Sequence, residues 1–118
     1  MRTRMIAVLA TVIATFGLAV VSTPAAAATV TPAIDCTQNP GTNGGNTGHF
    51  TGQGVNIRTG PSTTCTSVGL GYESHSVTAR CGKPVGSEFW VYLKDHTTGK
   101  IGWSRYPLIT WDGLLPHC

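Results

Sequence analysis

The residues that could do chemistry are few, and their spacing matches no common catalytic pattern. The histidines all fall in turn-like or terminal stretches of the 118-residue chain: His49, His75, His96 and His117. Asp95 directly precedes His96, but neighbouring side chains on a strand or turn point apart. Glu73 and Glu88 occupy separate turn-like segments, with no sign of a glycosidase pair. The sequence also has no G-x-S-x-G or H-E-x-x-H motif, so we expect solvated histidines and a protein that is not an enzyme.

Cysteine is the other residue type whose side chain could be reactive or bind a metal. Four are present: Cys36, Cys65, Cys81 and Cys118. An even count in a small exported chain indicates two disulfides and argues against a nucleophilic thiolate. A metal site is the alternative, but the sequence has no C-x2-C or H-x3-5-H spacing. We therefore expect disulfides, with no metal and no cofactor.

The first 28 residues have the layout of a secretory signal peptide. Two arginines precede an apolar run from Met5 to Val21, and Pro24 then leads into four alanines. A membrane anchor is the alternative, although a run of about 17 residues is at the lower limit for crossing roughly 30 Å of hydrocarbon. We expect cleavage after Ala28, secretion, and no stable membrane anchor.

The charge of the chain indicates which partner is not expected but does not identify one. The residues after Ala28 include six Lys or Arg and five Asp or Glu, which leaves a net charge of about +1. The basic residues form no cluster or stripe that would release counterions from a phosphate backbone. Nucleic acid is therefore not an expected partner.

Composition divides the remaining chain into an arm and a domain. Residues 29–48 are rich in Gly and Asn and predict an extended, poorly structured arm that Cys36 pins to the domain. Residues 49–118 contain short β-rich runs between Gly, Pro and Ser clusters: Gly54–Arg58, Ser67–Leu70, Ser76–Arg80, Phe89–Lys94 and Ile101–Ser104. This pattern predicts an all-β fold of about five to six short antiparallel strands, arranged as a small barrel or a sandwich.

The run Phe89–Lys94 alternates two sets of large side chains. Phe89, Val91 and Leu93 point one way, and Trp90 and Tyr92 point the other. On a small barrel, we expect one of these sets to face outward.

The predicted strands suggest a disulfide pairing. If Ser67–Leu70 and Ser76–Arg80 form a hairpin, Cys65 falls opposite Cys81, at a spacing of about 4.5–5.5 Å between Cβ atoms that suits a bridge. Cys36 would then pair with Cys118. Of the three possible connectivities, this is the one that we predict.

Several segments resemble, in order, elements of the bacterial SH3-like (SH3b) family. Gly54–Ser62, with the sequence GVNIRTGPS, is similar to the opening signature of the family. Phe89–Leu93 is similar to its W-x-x-V strand, and Gly99–Leu108 to its closing G-x-x-G-W element. The likeness extends from about His49 to Ile109. The cysteines and the arm are additions that resemble small exported proteins of actinobacteria.

The resemblance implies an SH3-like barrel with a shallow aromatic groove that binds extended peptides. The ligand-contact candidates are polar residues of the signature and aromatic residues of the loops and strands: Asn56, Arg58, Tyr72, Trp90, Tyr92, Tyr106 and Trp111. Arg58 could instead tie down its loop, and Trp90 and Trp103 could be core residues. We expect a monomeric, non-catalytic module that recognises peptidoglycan peptides. The alternative is a secreted inhibitor or effector with a protein partner and no cell-wall ligand.

Overall fold

The structure, a computed structural model, describes residues 17–19, 33–41 and 44–118. Chain contacts divide the protein into two units, Met1–Thr31 and Pro32–Cys118, and the fold described below is that of the second. The predicted signal peptide and its cleavage after Ala28 lie outside the described residues, apart from residues 17–19. Within the described ranges, no helix is long and apolar enough to cross a membrane.

Seven short strands form one antiparallel sheet. They are β1 (Asn46–Phe50), β2 (Val55–Arg58), β3 (Ser67–Gly71), β4 (Val77–Val85), β5 (Glu88–Asp95), β6 (Ile101–Arg105) and β7 (Ile109–Trp111). Their order across the sheet is β3-β2-β6-β5-β4-β1-β7. The described residues include no helix, so the predicted all-β class is confirmed, with seven strands instead of five or six. The arm ends earlier than predicted, because β1 begins at Asn46 and fills the position between β4 and β7.

The sheet curls so that its two ends enclose an apolar core. Phe50 of β1 packs against Gly71 of β3, although these strands lie toward opposite ends of the sheet. The core residues come from five strands: Phe50, Val55, Ile57, Val77, Ala79, Val91, Leu93 and Ile109. None of these side chains is more than 5 % exposed. Apolar residues at every second position thus point inward, as the alternating sequence pattern predicts.

The opposite face of the sheet carries a second, smaller core. It consists of Cys81, Trp90, Tyr92 and Trp103. One of the two sets of β5 side chains was expected to face outward, and this expectation was wrong. Trp90 and Tyr92 are both buried. The segment 36–40 lies over Tyr92 and Trp103, and Val85 and Cys118 pack against the cluster.

Residues 36–40, here called the strap, cover the second core with polar backbone and amide groups. The Trp103 indole N–H donates to the Gln38 carbonyl at 3.0 Å, and the Tyr92 hydroxyl donates to Asn39 Oδ1 at 2.7 Å. Lys83 Nζ donates to Gln38 Oε1. A buried donor without a partner costs about 1–3 kcal/mol. The strap therefore satisfies the polar groups of the aromatic face as well as covering its rings.

All four cysteines form disulfides, as predicted, but in a different pairing. Cys36 is bonded to Cys65, with 5.4 Å between their Cα atoms, and Cys81 to Cys118, with 4.9 Å between theirs. The first disulfide holds the strap against the sheet, and the second holds the C-terminal segment. The predicted pairs, Cys65 with Cys81 and Cys36 with Cys118, are wrong.

The pairing prediction failed because the hairpin on which it depended does not form. β3 pairs with β2, where Ile57 lies opposite Gly69, whereas β4 pairs with β1 and β5. Three strands separate β3 from β4 in the sheet order. Neighbours in sequence are therefore not neighbours in the sheet at this point.

The close contact between Phe50 and Gly71 predicts that one added methyl group at position 71 destabilises the fold. A Cβ atom at position 71 would overlap the Phe50 ring, which is buried in the core. We expect Gly71→Ala to lower the free energy of unfolding by about 1–3 kcal/mol, the usual cost of overpacking. Chemical denaturation measures this loss. Gly52→Ala is the matched control, since its Cβ would meet only Val55 Cγ2, at 3.5 Å, and equal losses in both variants would contradict the prediction.

The disulfide at the strap predicts a second loss of stability. The Cys36–Cys65 bond closes a loop with a sequence separation of 29, worth roughly 3.5 kcal/mol in the chain-entropy treatment. We expect the double variant Cys36→Ala/Cys65→Ala to lose about this much in denaturation. Its tryptophan emission should also shift to the red, because the released strap exposes Trp103. Unchanged stability and emission would contradict a holding role for this bond.

Candidate functional site

Two surfaces adjoin at the end of the sheet where β5 begins and β6 ends. Trp90 lies opposite Arg105 in the β5–β6 ladder, and the Tyr106 N–H donates to the Phe89 carbonyl at 2.9 Å. Successive residues of a strand face opposite sides. The pair Trp90 and Arg105 therefore contributes to one surface, and Phe89 and Tyr106 to another, on either side of the same strand ends.

The first surface is an aromatic patch formed by Phe89, Tyr106 and Trp111. The Phe89 and Trp111 rings stack with centroids 5.9 Å apart, and Tyr106 meets Trp111 edge-on at 5.8 Å. Phe89 and Trp111 also pack against the main core, which fixes their positions. Tyr106 is 49 % exposed. The three rings line a shallow hollow of about 310 Å³ that can receive an apolar group.

The second surface is a polar depression of about 140 Å³. It is lined by Asn56, Arg58, Thr63, Trp90, Arg105 and Leu108. Arg105 Nη1 lies 2.8 Å from Glu88 Oε1, and the Trp90 indole N–H donates to Glu88 Oε2 at 3.2 Å. Arg58 Nη1 donates to the Cys65 carbonyl at 2.9 Å. Both arginines are thus held in place by a contact of their own.

Strand register explains why these residues meet. Arg58 lies opposite Trp103, which in turn lies opposite Tyr92, so the three form one row across β2, β6 and β5. Two residues farther along, the same antiparallel register gives a second row of Asn56, Arg105 and Trp90. The Ser104 hydroxyl donates to the Asn56 carbonyl at 2.8 Å and supports this register. The strap covers Tyr92 and Trp103 of the first row, and the depression opens over Arg58 and the second row.

Five of the seven predicted contact residues belong to these surfaces. They are Tyr106 and Trp111 in the aromatic patch, and Asn56, Arg58 and Trp90 in the polar depression. Trp90 is nevertheless only 2 % exposed, so it forms the floor and is chiefly a core residue. Arg58 also donates a hydrogen bond to the Cys65 carbonyl, which fits its alternative role of holding the loop between β2 and β3.

The other two predicted residues lie elsewhere. Tyr72 is exposed in the turn after β3, where its ring meets His75 edge-on at 5.3 Å. Tyr92 is 3 % exposed beneath the strap, so little of its side chain is open to a ligand. Burial raises the pKa of the Tyr92 phenol above its ordinary value of 10.0, and the positive charge of Arg80 opposes this rise.

Five residues of these surfaces were not among the predicted contacts: Thr63, Glu88, Phe89, Arg105 and Leu108. Phe89 was considered only as a member of the set Phe89, Val91 and Leu93, with either this set or Trp90 and Tyr92 expected to face outward, and Glu88 only as part of a turn. Their role depends on the β5–β6 register, which places residue 89 beside residue 106 and residue 90 opposite residue 105. The sequence held one signal for Arg105. It follows Trp103 by two residues, and side chains two apart on a strand lie on the same face.

One histidine departs from the expected solvated setting. His75 Nδ1 lies 2.6 Å from Asp95 Oδ2, with side chains 12 % and 0 % exposed. Asp95 also accepts from the Thr97 N–H at 2.9 Å, so the carboxylate ties the start of β4 to the end of β5. Among the described residues, no three His, Cys, Asp or Glu side chains cluster as metal ligands.

Comparisons of the chain with models of known protein families, with curated proteins and with solved structures find no match. The two surfaces and the segments of the sequence quoted above are therefore the basis for inferring a function.

The buried Tyr92 phenol predicts a loss of stability in alkali. Its pKa is raised in the folded protein, so the unfolded chain loses this proton first as the pH rises. The contribution of Tyr92 is fully present below about pH 10 and is lost as the pH rises through the pKa of the folded state. We expect the free energy of unfolding to fall more steeply above this pH in the wild type than in Tyr92→Phe. Denaturation curves across that range test this, with Tyr106→Phe as the control and parallel wild-type and Tyr92→Phe profiles as the contrary result.

Proposed function

We propose that this protein is a secreted, non-catalytic binding module that recognises peptides of the bacterial cell wall, those of peptidoglycan stems or cross-bridges. The observation that carries the proposal is the aromatic patch, in which Tyr106 stands exposed against Trp111 beside a polar depression. Extended peptides bind to aromatic grooves by packing of side chains and by main-chain hydrogen bonds. The resemblance of Gly54–Ser62 and the later segments to the SH3b family supports the same function.

The chemistry of the two surfaces suits a short peptide. Tyrosine and tryptophan offer a large apolar body with one polar atom, which is why they are enriched where proteins bind partners. The hollow at Tyr106 can receive an aliphatic side chain, such as that of alanine. The depression beside it offers amide and guanidinium donors to the carbonyl and carboxylate oxygens of a peptide backbone.

The disulfides agree with a location outside the cell. Cys36–Cys65 and Cys81–Cys118 are consistent with an extracellular protein, since disulfides persist in oxidising compartments. Peptidoglycan lies in such a compartment. The small net charge expected after removal of residues 1–28 gives only weak attraction to anionic wall polymers, so the proposal depends on the shape and chemistry of the patch.

The proposal predicts that binding to cell walls depends on Tyr106. The purified, oxidised protein would be mixed with purified cell-wall sacculi, and the fraction that sediments would be measured against concentration. We expect saturable sedimentation by the wild type and affinity lowered about tenfold by Tyr106→Ala, the size of effect typical of an aromatic anchor. Near-ultraviolet circular dichroism and thermal unfolding would establish that the variant is folded.

Tyr72→Ala is the matched control, because it removes a second exposed tyrosine that lies outside both surfaces. It should leave sedimentation unchanged. Equal losses in the two variants would contradict the assignment to the aromatic patch. Absence of saturable sedimentation at tens of micromolar protein would contradict cell-wall binding itself, and a protein partner would then be sought in the culture medium.

A further inference from the structure

The polar depression has a charge pattern that the proposed function alone does not explain. We propose that it binds a carboxylate, the free C-terminal carboxylate of a peptide ligand, between the guanidinium groups of Arg58 and Arg105. This inference rests on the proposed function, and it names the chemical group that the site selects.

Strand register places the two arginines on the same face in adjacent rows. Arg58 lies on β2 opposite Trp103, and Arg105 lies two residues beyond Trp103 on β6. Both side chains line one depression, and Asn56, which lies in the row of Arg105, lines it too. A carboxylate at this position can accept from two cations and an amide at once, and guanidinium groups match its planar pair of oxygens.

Each arginine is positioned by a contact that leaves other donors available. In the described part of the chain, the Cys65 carbonyl engages Nη1 of Arg58, and the Glu88 carboxylate engages Nη1 of Arg105. A guanidinium carries five N–H donors on three nitrogens. The contacts therefore fix the two groups before a ligand arrives, and this reduces the ordering cost of binding.

Glu88 indicates which ligand chemistry the depression accepts. Its Oε1 accepts a hydrogen bond from Arg105 Nη1 at 2.8 Å, and its Oε2 accepts one from the Trp90 indole N–H at 3.2 Å. Arg105 and Trp90 are therefore arranged to bind a carboxylate. The Glu88 side chain is 40 % exposed, so it borders the site and competes with an incoming anion for Arg105.

The strap leaves this part of the face open and adds no negative charge to it. Its sequence from Cys36 to Pro40 contains no acidic residue, and it covers the neighbouring row of Tyr92 and Trp103. Among the residues that the structure describes, Arg58 and Arg105 line the depression and Glu88 borders it through its contact with Arg105. Leu108 supplies an apolar wall, which suits the small side chain next to a C-terminal carboxylate.

The test compares a carboxylate with its amide on otherwise identical probes. N-acetyl-trialanine with a free C-terminus and the same peptide as a C-terminal amide would be titrated into the full chain and followed by nuclear magnetic resonance. We expect the free acid to bind in the millimolar range, as suits a small probe, with affinity at least about tenfold higher than that of the amide. The largest shifts should fall on Asn56, Arg58 and Arg105.

Two variants should change the affinity for the acid in opposite directions. Arg105→Gln should weaken it about tenfold, and Glu88→Gln should strengthen it about threefold, because the competing carboxylate is gone. A loss of fold would weaken both, so the gain in Glu88→Gln identifies the charge effect. Equal binding of acid and amide, or weaker binding of the acid by Glu88→Gln, would overturn the carboxylate site.

The outcomes for the two proposals are separable. If sacculi sediment the protein but the acid and the amide bind equally, the carboxylate site is overturned and cell-wall binding stands. If the acid is preferred with the expected variant pattern but sacculi do not sediment the protein, the carboxylate site stands and cell-wall binding is overturned.

Discussion

The burial of β5 on both faces is the constraint on which the rest of the structure depends. Val91 and Leu93 lie in the main core, whereas Trp90 and Tyr92 lie in the second core on the other side. A curled sheet can enclose only one of these faces, so the second needs a cover from outside the sheet. The strap and the C-terminal segment supply that cover. One disulfide bonds the strap to the loop between β2 and β3, and the other bonds the C-terminal segment to β4.

The all-β class followed from local patterns, whereas the topology did not. Alternating apolar residues in β2, β4 and β5 indicated strands correctly, because each side chain position depends only on its near neighbours. The pairing of strands depends on distant contacts, such as Phe50 on Gly71, and no local pattern reports these. The assumption that β3 pairs with β4 was wrong for this reason, and the disulfide pairing derived from it failed with it.

The site was predictable to the extent that its residues are chemically distinctive. Tyr106 and Trp111 were identified as aromatic residues near the end of the chain, and they lie together in the aromatic patch. The burial of Tyr92 was not predicted because its cover, the strap, has a composition typical of a disordered segment. Gln38 and Asn39 are held by two buried aromatic donors, and composition does not reveal such a partner.

The connectivity of the disulfides has a consequence for how the protein acquires them. Cys36 and Cys65 precede Cys81 and Cys118 along the chain, and the two closed loops do not overlap in sequence. A polypeptide that emerges with its N-terminus first exposes both cysteines of the first disulfide before either cysteine of the second. Oxidation in order of appearance therefore yields the native bonds directly, and no thiol exchange is needed to correct them.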